Sequence, residues 1–141
     1  MEKWKIFAVI SMLFAGLTSV IAKYGMKNLS SDVALSIRTA VVFLLITANA
    51  LLFTNAIQQI KEAPKSNLIF LTISGITTSL SWIFYYRAMK EGQVSFVASI
   101  DKASIVVTLL LSFIILKEPV TLKLIAGSFF ILTGMIILIW K

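Results

Sequence analysis

Five apolar stretches, each close to the ~20 residues an α-helix needs to cross a ~30 Å hydrocarbon layer, divide this sequence: 6–22, 34–53, 68–88, 94–116 and 122–140. A backbone carried into lipid must satisfy its own N–H and C=O groups, so stretches of this length can cross only as helices. Composition agrees, with 59% hydrophobic and 13% charged residues. The fold class expected is an all-α membrane protein of five transmembrane helices forming one domain over 1–141. The segments between the stretches, "KYGMKNLSSD", "TNAIQQIKEAPKSN", "KEGQ" and "KEPVT", carry turn and cap chemistry and leave no room for a soluble domain. Both prolines, Pro64 and Pro119, fall in these segments, so the spans are expected to be free of proline kinks. The opening "MEKWKIFAVISMLFAG" has the look of a signal peptide, but four similar stretches follow it and it reads better as a retained first span.

The residue inventory narrows the function classes. The chain has no histidine and no cysteine, which removes disulfides, thiolate nucleophiles, the usual zinc ligand sets and any Ser-His or Cys-His pair. Five of the six carboxylates (Glu2, Asp32, Glu62, Glu91, Glu118) lie at or near the ends of apolar runs, a poor setting for a paired-carboxylate site. Neither an enzyme nor a metal or organic cofactor is expected. The net charge of +7 is scattered in ones and twos between apolar runs, which argues against nucleic acid and for lysines and arginines that anchor helix ends at the headgroups.

Helical periodicity assigns faces to the spans. In the first, Ala8, Ser11, Ala15, Thr18 and Ala22 form a small-residue stripe along which another helix can approach. In the third, Gly75, Thr78, Ser79, Trp82 and Tyr86 share a face, while Phe84 and Tyr85 point elsewhere. The aromatic run fits either an interfacial belt or a cavity wall made of Trp82, Tyr85 and Tyr86. Gly127 and Gly134 lie on nearly one face of the fifth span, a helix-contact signal.

The fourth span carries two adjacent charges, Asp101 and Lys102, into the hydrocarbon. A charge at mid-bilayer costs about 2.5–3.5 kcal/mol on insertion scales, so it must be paired, neutralised or solvated. On an uninterrupted helix Asp101 lies within about 60° of Ser104, Thr108 and Ser112, a stripe that should face protein or water, while Lys102 is turned about 100° away and can snorkel toward headgroups. Arg38 enters the second span from the same side and reaches a comparable depth, which makes it the expected partner of Asp101; Asn49 lies deeper on the face of Arg38. Such a pair is either structural or part of a transport cycle in which Asp101 couples cargo movement to protons.

Five spans place the termini on opposite sides. Lys3, Lys5, Lys61, Lys65, Lys117 and Lys123 fall on the N-terminal side, and Lys23, Lys27, Arg38, Arg87, Lys90 and Lys141 on the other. Six against six gives no positive-inside bias, so copies are expected to insert both ways and pair as an antiparallel homodimer, unless the balance is fortuitous.

The segments "LFAGLTSVIAKYGMKN", "SIRTAVVFLL", "SGITTSLSWIFYYRAMKEGQVSFVASIDKASIVVTLLLSFIILKEPVT" and "AGSFFILTGMIIL" together resemble a single EamA domain of the drug/metabolite transporter superfamily. The resemblance spans nearly the whole chain; its strongest pieces are the aromatic run leading to "AMKEGQVS" and the "LKEPVT" segment with Glu118. Larger members fuse two such domains in inverted orientation around a cavity near the midplane, so the resemblance implies that two copies of this chain supply the pair. The small multidrug resistance proteins are more distantly similar, with a glutamate in the first helix; here that helix reads Phe14, Ala15, Gly16, leaving Asp101 as the carboxylate for such a role. The reading that results is a secondary transporter of small metabolites or amphiphiles in a bacterial or archaeal plasma membrane, with access alternating as one chain rocks against the other. Its expected substrate and coupling residues are Asp101, Arg38, Lys102, Asn49, Trp82, Tyr85, Tyr86, Ser104 and Thr108, and its expected dimer contacts are Gly127 and Gly134. Two copies of Arg38 and Lys102 against two of Asp101 favour anionic or zwitterionic cargo. The alternative is a non-transporting subunit, or half of a lipid-flipping heterodimer.

Overall fold

The computed structural model describes residues 2–140, and among the described residues every regular element is helical. In chain order they are α1 (Lys3–Gly25), α2 (Ser31–Phe53), α3 (Ala56–Glu62), α4 (Lys65–Glu91), α5 (Val94–Asp101), α6 (Ser104–Leu111) followed by a π-helical turn (Ser112–Leu116), and α7 (Leu122–Ile139). Five segments are long and apolar enough to cross a membrane: α1, α2, α4, the run Val94–Leu116, and α7. They coincide with the apolar stretches of the sequence. At several ends the helix continues about one turn past the stretch, because the hydrogen-bond ladder does not stop where hydrocarbon gives way to headgroups. Capping sets the starts: the Ser30 side chain accepts from Val33 N at 3.3 Å, and Thr121 does the same for Leu124 N at 3.3 Å. Pro64 immediately precedes α4, and its carbonyl accepts from Asn67 N at 3.0 Å to begin that helix.

The segment after the second span is more ordered than turn chemistry suggests. It holds α3, whose Gln58 donates to Glu62 Oε1 at 2.9 Å, while Ile57 and Ile60 are exposed. A short amphipathic helix of this kind suits the headgroup boundary.

The chain divides into two compact units after Lys90. The first contains α1 to α4, and its buried apolar side chains are Met26, Leu35, Tyr86 and Met89, clustered where the α1–α2 turn meets the C-terminal end of α4. In the second, α5 packs against α7 and Ser128 is buried, its hydroxyl donating to Leu124 O at 2.8 Å. Elsewhere large apolar side chains point outward, among them Phe7, Phe14, Phe43, Leu44, Phe70, Ile114 and Phe130. Such a surface is untenable in water and places the helices in a lipid bilayer.

The fourth span departs from the uninterrupted helix expected of it. The helix breaks at Lys102 and Ala103, where Ala103 N bonds Ile100 O at 2.9 Å, Ile105 N bonds Lys102 O at 3.2 Å and Val106 N bonds Ala103 O at 3.0 Å, all three-residue closures. Residues in such a turn advance by about 120° instead of 100°, so the stripe drawn from Asp101 through Ser104, Thr108 and Ser112 does not run straight through. The interruption needs no proline; it sits at the two charges.

The same span ends on Lys117 in the left-handed region, φ 54°, with the Lys117 and Glu118 N–H groups converging on Ser112 O. Pro119 follows and prevents the helix from continuing. A Cβ in this conformation is strained, so Lys117→Gly is expected to stabilise the protein by about 1 kcal/mol and Lys117→Val to destabilise it. Thermal unfolding in detergent checks the sign of both.

Candidate functional site

Arg38 lies about two turns into α2 and is the one guanidinium stacked on aromatic rings among the described residues. Its Cζ is 4.4 Å from the Trp82 ring centroid and 5.9 Å from that of Tyr86. Trp82 and Tyr86 are four residues apart on α4, so their side chains stand one above the other and offer a continuous aromatic face. Tyr85 packs edge-on to Tyr86 with centroids 6.5 Å apart, and its hydroxyl shares a 2.9 Å hydrogen bond with Ser19 of α1, which fixes α1 against α4.

Two polar atoms in this cluster have no hydrogen-bond partner among the described residues: Nη1 of Arg38 and Oη of Tyr86, both buried. Tyr86 is only 3% exposed. Both residues border a cavity of about 340 Å³ among α1, α2 and α4, whose other walls are Thr18, Ile21, Ala22, Gly25, Leu29, Ala34 and Ile37. Among the described residues no carboxylate lines it. Thr18 donates its hydroxyl proton to Phe14 O at 2.7 Å, so the free donors of the cavity are the guanidinium and the phenol.

A second cavity of about 710 Å³ is bordered by Trp82 together with Asp32, Ser36, Phe43, Ser79 and Arg87. There Asp32 takes Arg87 in a two-pronged pair, Nε to Oδ1 at 3.3 Å and Nη2 to Oδ2 at 3.2 Å. The fork geometry fixes orientation as well as charge. It links the first turn of α2 to the last turns of α4.

Beyond the site, two lysines bind the helix ends. Lys90 Nζ donates to Met26 O at 2.6 Å and Leu29 O at 2.8 Å, and Lys23 Nζ donates to Met89 O and, at 3.2 Å, to Lys90 O. The sequence suggests headgroup anchors at these positions; the structure instead uses both ammonium groups to satisfy carbonyls that the ends of α1 and α4 leave unpaired. Neither this exchange nor the roles of Ser19 and Asp32 is visible in periodicity. The available signal was a lysine in the last turn of each helix, "KYG" and "MKE".

The remaining expected residues are placed as follows. Asp101 ends α5 and its Oδ2 lies 3.5 Å from Nζ of Lys102. Lys102 is therefore folded back on its neighbour, its long flexible stem bridging the angle between the two side chains. Ser104 opens α6, and Thr108 donates to Ser104 O at 3.0 Å, which occupies its proton within the helix. Asn49 is exposed about three turns beyond Arg38 on α2. At Gly127 and Gly134 no atom lies within 4 Å of where a Cβ would stand, so that face of α7 is open.

The family model for the EamA-like transporter family matches residues 2–140. An uncharacterized transporter in the cobO 3′ region of a Sinorhizobium species is 37% identical over 137 residues, covering 97% of this chain and 96% of that protein. No solved structure matches. Helix count, lipid-facing surface and sequence match agree: the chain belongs to the EamA-like transporter family.

Proposed function

We propose that this protein is a secondary transporter of small metabolites or amphiphiles that works by alternating access as an antiparallel, dual-topology homodimer in the plasma membrane. The observation that carries the reading is Arg38 Nη1 together with Tyr86 Oη, two buried donor atoms left without partners among the described residues beside a cavity among three membrane-crossing helices. Ionisable groups in such positions are expensive and belong to solute pathways. Asp101, paired with Lys102, is the coupling carboxylate, with protons as the coupling ion. The interruption of the fourth span at Asp101 supports this, since broken helices in transporters concentrate at ion and substrate sites. The open glycine face of α7 supports close approach of a second copy.

The balanced lysine and arginine distribution yields a direct test of dual insertion. The chain has no native cysteine, so Gln59→Cys on the exposed face of α3 supplies a single reactive thiol. An impermeant maleimide is expected to label about half of the copies from each side of the membrane. Labelling from one side alone would remove the antiparallel homodimer and leave pairing with a different chain.

A further inference from the structure

We infer that the cavity bounded by Arg38 and Tyr86 is a binding site for a monoanionic amphiphile, a carboxylate head carried on a short apolar body. This deepens the transporter reading and rests on it for the meaning of the site as a cargo site, while occupancy of the cavity is independent of it.

Charge selects the class of ligand. The cavity presents one guanidinium and one phenol, each with a buried and unfilled donor, and no carboxylate on its walls. Tyr86 is 3% exposed, so its hydroxyl gains little from solvent. A buried donor without an acceptor is costly, and both costs are removed at once by an acceptor placed between them. A carboxylate offers two oxygens in a plane and so suits two convergent donors. A cation fits poorly: the aromatic faces that could cradle an ammonium already hold the Arg38 guanidinium at 4.4 Å and 5.9 Å.

Shape and lining select the rest of the molecule. Away from the two donors the walls are Ile21, Ala22, Leu29, Ala34 and Ile37, and the volume is about 340 Å³. That is near the small end of ligand pockets, about 300–1,000 Å³. A single charge with an apolar tail satisfies both parts of the cavity, whereas a polyanion or a sugar would leave polar groups against Ile21 and Ile37. A single oxyanion on an apolar chain is shared by a soluble monocarboxylate and, as a phosphodiester on two long chains, by an acidic phospholipid.

Trp82, stacked on the guanidinium, makes the site its own reporter. In a Trp4→Phe, Trp140→Phe background the protein retains Trp82 as its single tryptophan. In uncharged detergent, hexanoate is expected to change Trp82 emission saturably at concentrations about tenfold or more below those of hexanol, with hexylammonium weaker still. Arg38→Gln should weaken hexanoate by about tenfold or more, and Tyr86→Phe by about two- to tenfold. Equal binding of hexanoate and hexanol by the unaltered protein overturns the inference without reference to any variant, as does unchanged hexanoate affinity in folded Arg38→Gln. Nanodiscs distinguish the source of the anion. If phosphatidylglycerol competes with hexanoate and phosphatidylcholine does not, the natural occupant is an acidic lipid; if neither competes, it is a soluble carboxylate. The first result overturns a short carboxylate as the occupant, and the second upholds it. Hexanoate binding without hexanoate movement in proteoliposomes would leave this site standing and remove the transporter reading.

Discussion

Replacing Arg38 by methionine is expected to make the protein more stable and at the same time unable to bind or move its cargo. An arginine well inside a membrane helix costs about 2.5–3.5 kcal/mol on insertion scales. The stack on Trp82 offsets about 1–2 kcal/mol of that. The unpartnered Nη1 offsets nothing. Methionine keeps an unbranched stem along the same path and makes its own sulfur contact with the indole. A net gain of about 1–2 kcal/mol follows, read as a higher midpoint for loss of the monodisperse protein on heating. Arg38→Lys separates charge from shape: the ammonium keeps the charge but cannot stack flat on Trp82 or present a fork, so stability should fall by about 1 kcal/mol while anion affinity falls about tenfold. If Arg38→Met destabilises the protein, the guanidinium holds the helices together and is not kept for a ligand.

That trade of stability for an available donor explains which parts of the protein were legible in its sequence. Span positions follow from hydrocarbon thickness alone, and a run such as 34–53 has few other solutions. Arg38 stood out through depth, as the cation of the second span expected to reach the level of Asp101. Trp82 and Tyr86 share a face of α4 by helical arithmetic, and the structure lays Arg38 of α2 against it. What arithmetic could not supply was any contact set by how two helices rotate against each other. The Ser19–Tyr85 hydroxyl bond is of that kind, as is the choice of Arg87 by Asp32. The break in the fourth span was hidden for a different reason. Periodicity presumes constant pitch, and nothing in "ASIDKASIV" is a breaker by propensity. The three-residue closures after Ile100 fall beside the two charges that pair at 3.5 Å, a coincidence of position that no propensity encodes.

Lys90→Met is expected to loosen the first unit by about 1.5–3 kcal/mol, the worth of its charge-assisted hydrogen bonds, although Met26 O keeps the N–H of Leu29 at 3.3 Å. Nζ of Lys90 binds Met26 O and Leu29 O at the α1–α2 turn. The side chains of Met26 and Met89 beside it are 1% and 0% exposed, so water does not readily take over. Lys23, reaching the opposite way to Met89 O and Lys90 O, cannot compensate because its own ammonium is already engaged. Faster amide exchange over 26–30, with the remainder of α2 unchanged, would locate the loss; a stability within about 0.5 kcal/mol of wild type would show that the stitching is ornamental. Tyr86 lies about one turn from Lys90 on α4, so the same variant should weaken hexanoate binding severalfold without deleting any group from the cavity. Lys90→Met also removes one of six positive charges on its side of the membrane, which biases insertion toward a cytoplasmic N-terminus. Lys90→Arg keeps the charge and changes only the reach and shape of the donor. In the Gln59→Cys labelling assay, a shifted ratio with methionine and an unshifted ratio with arginine would assign orientation to charge count, while a stability loss common to both would belong to the geometry of the stitch.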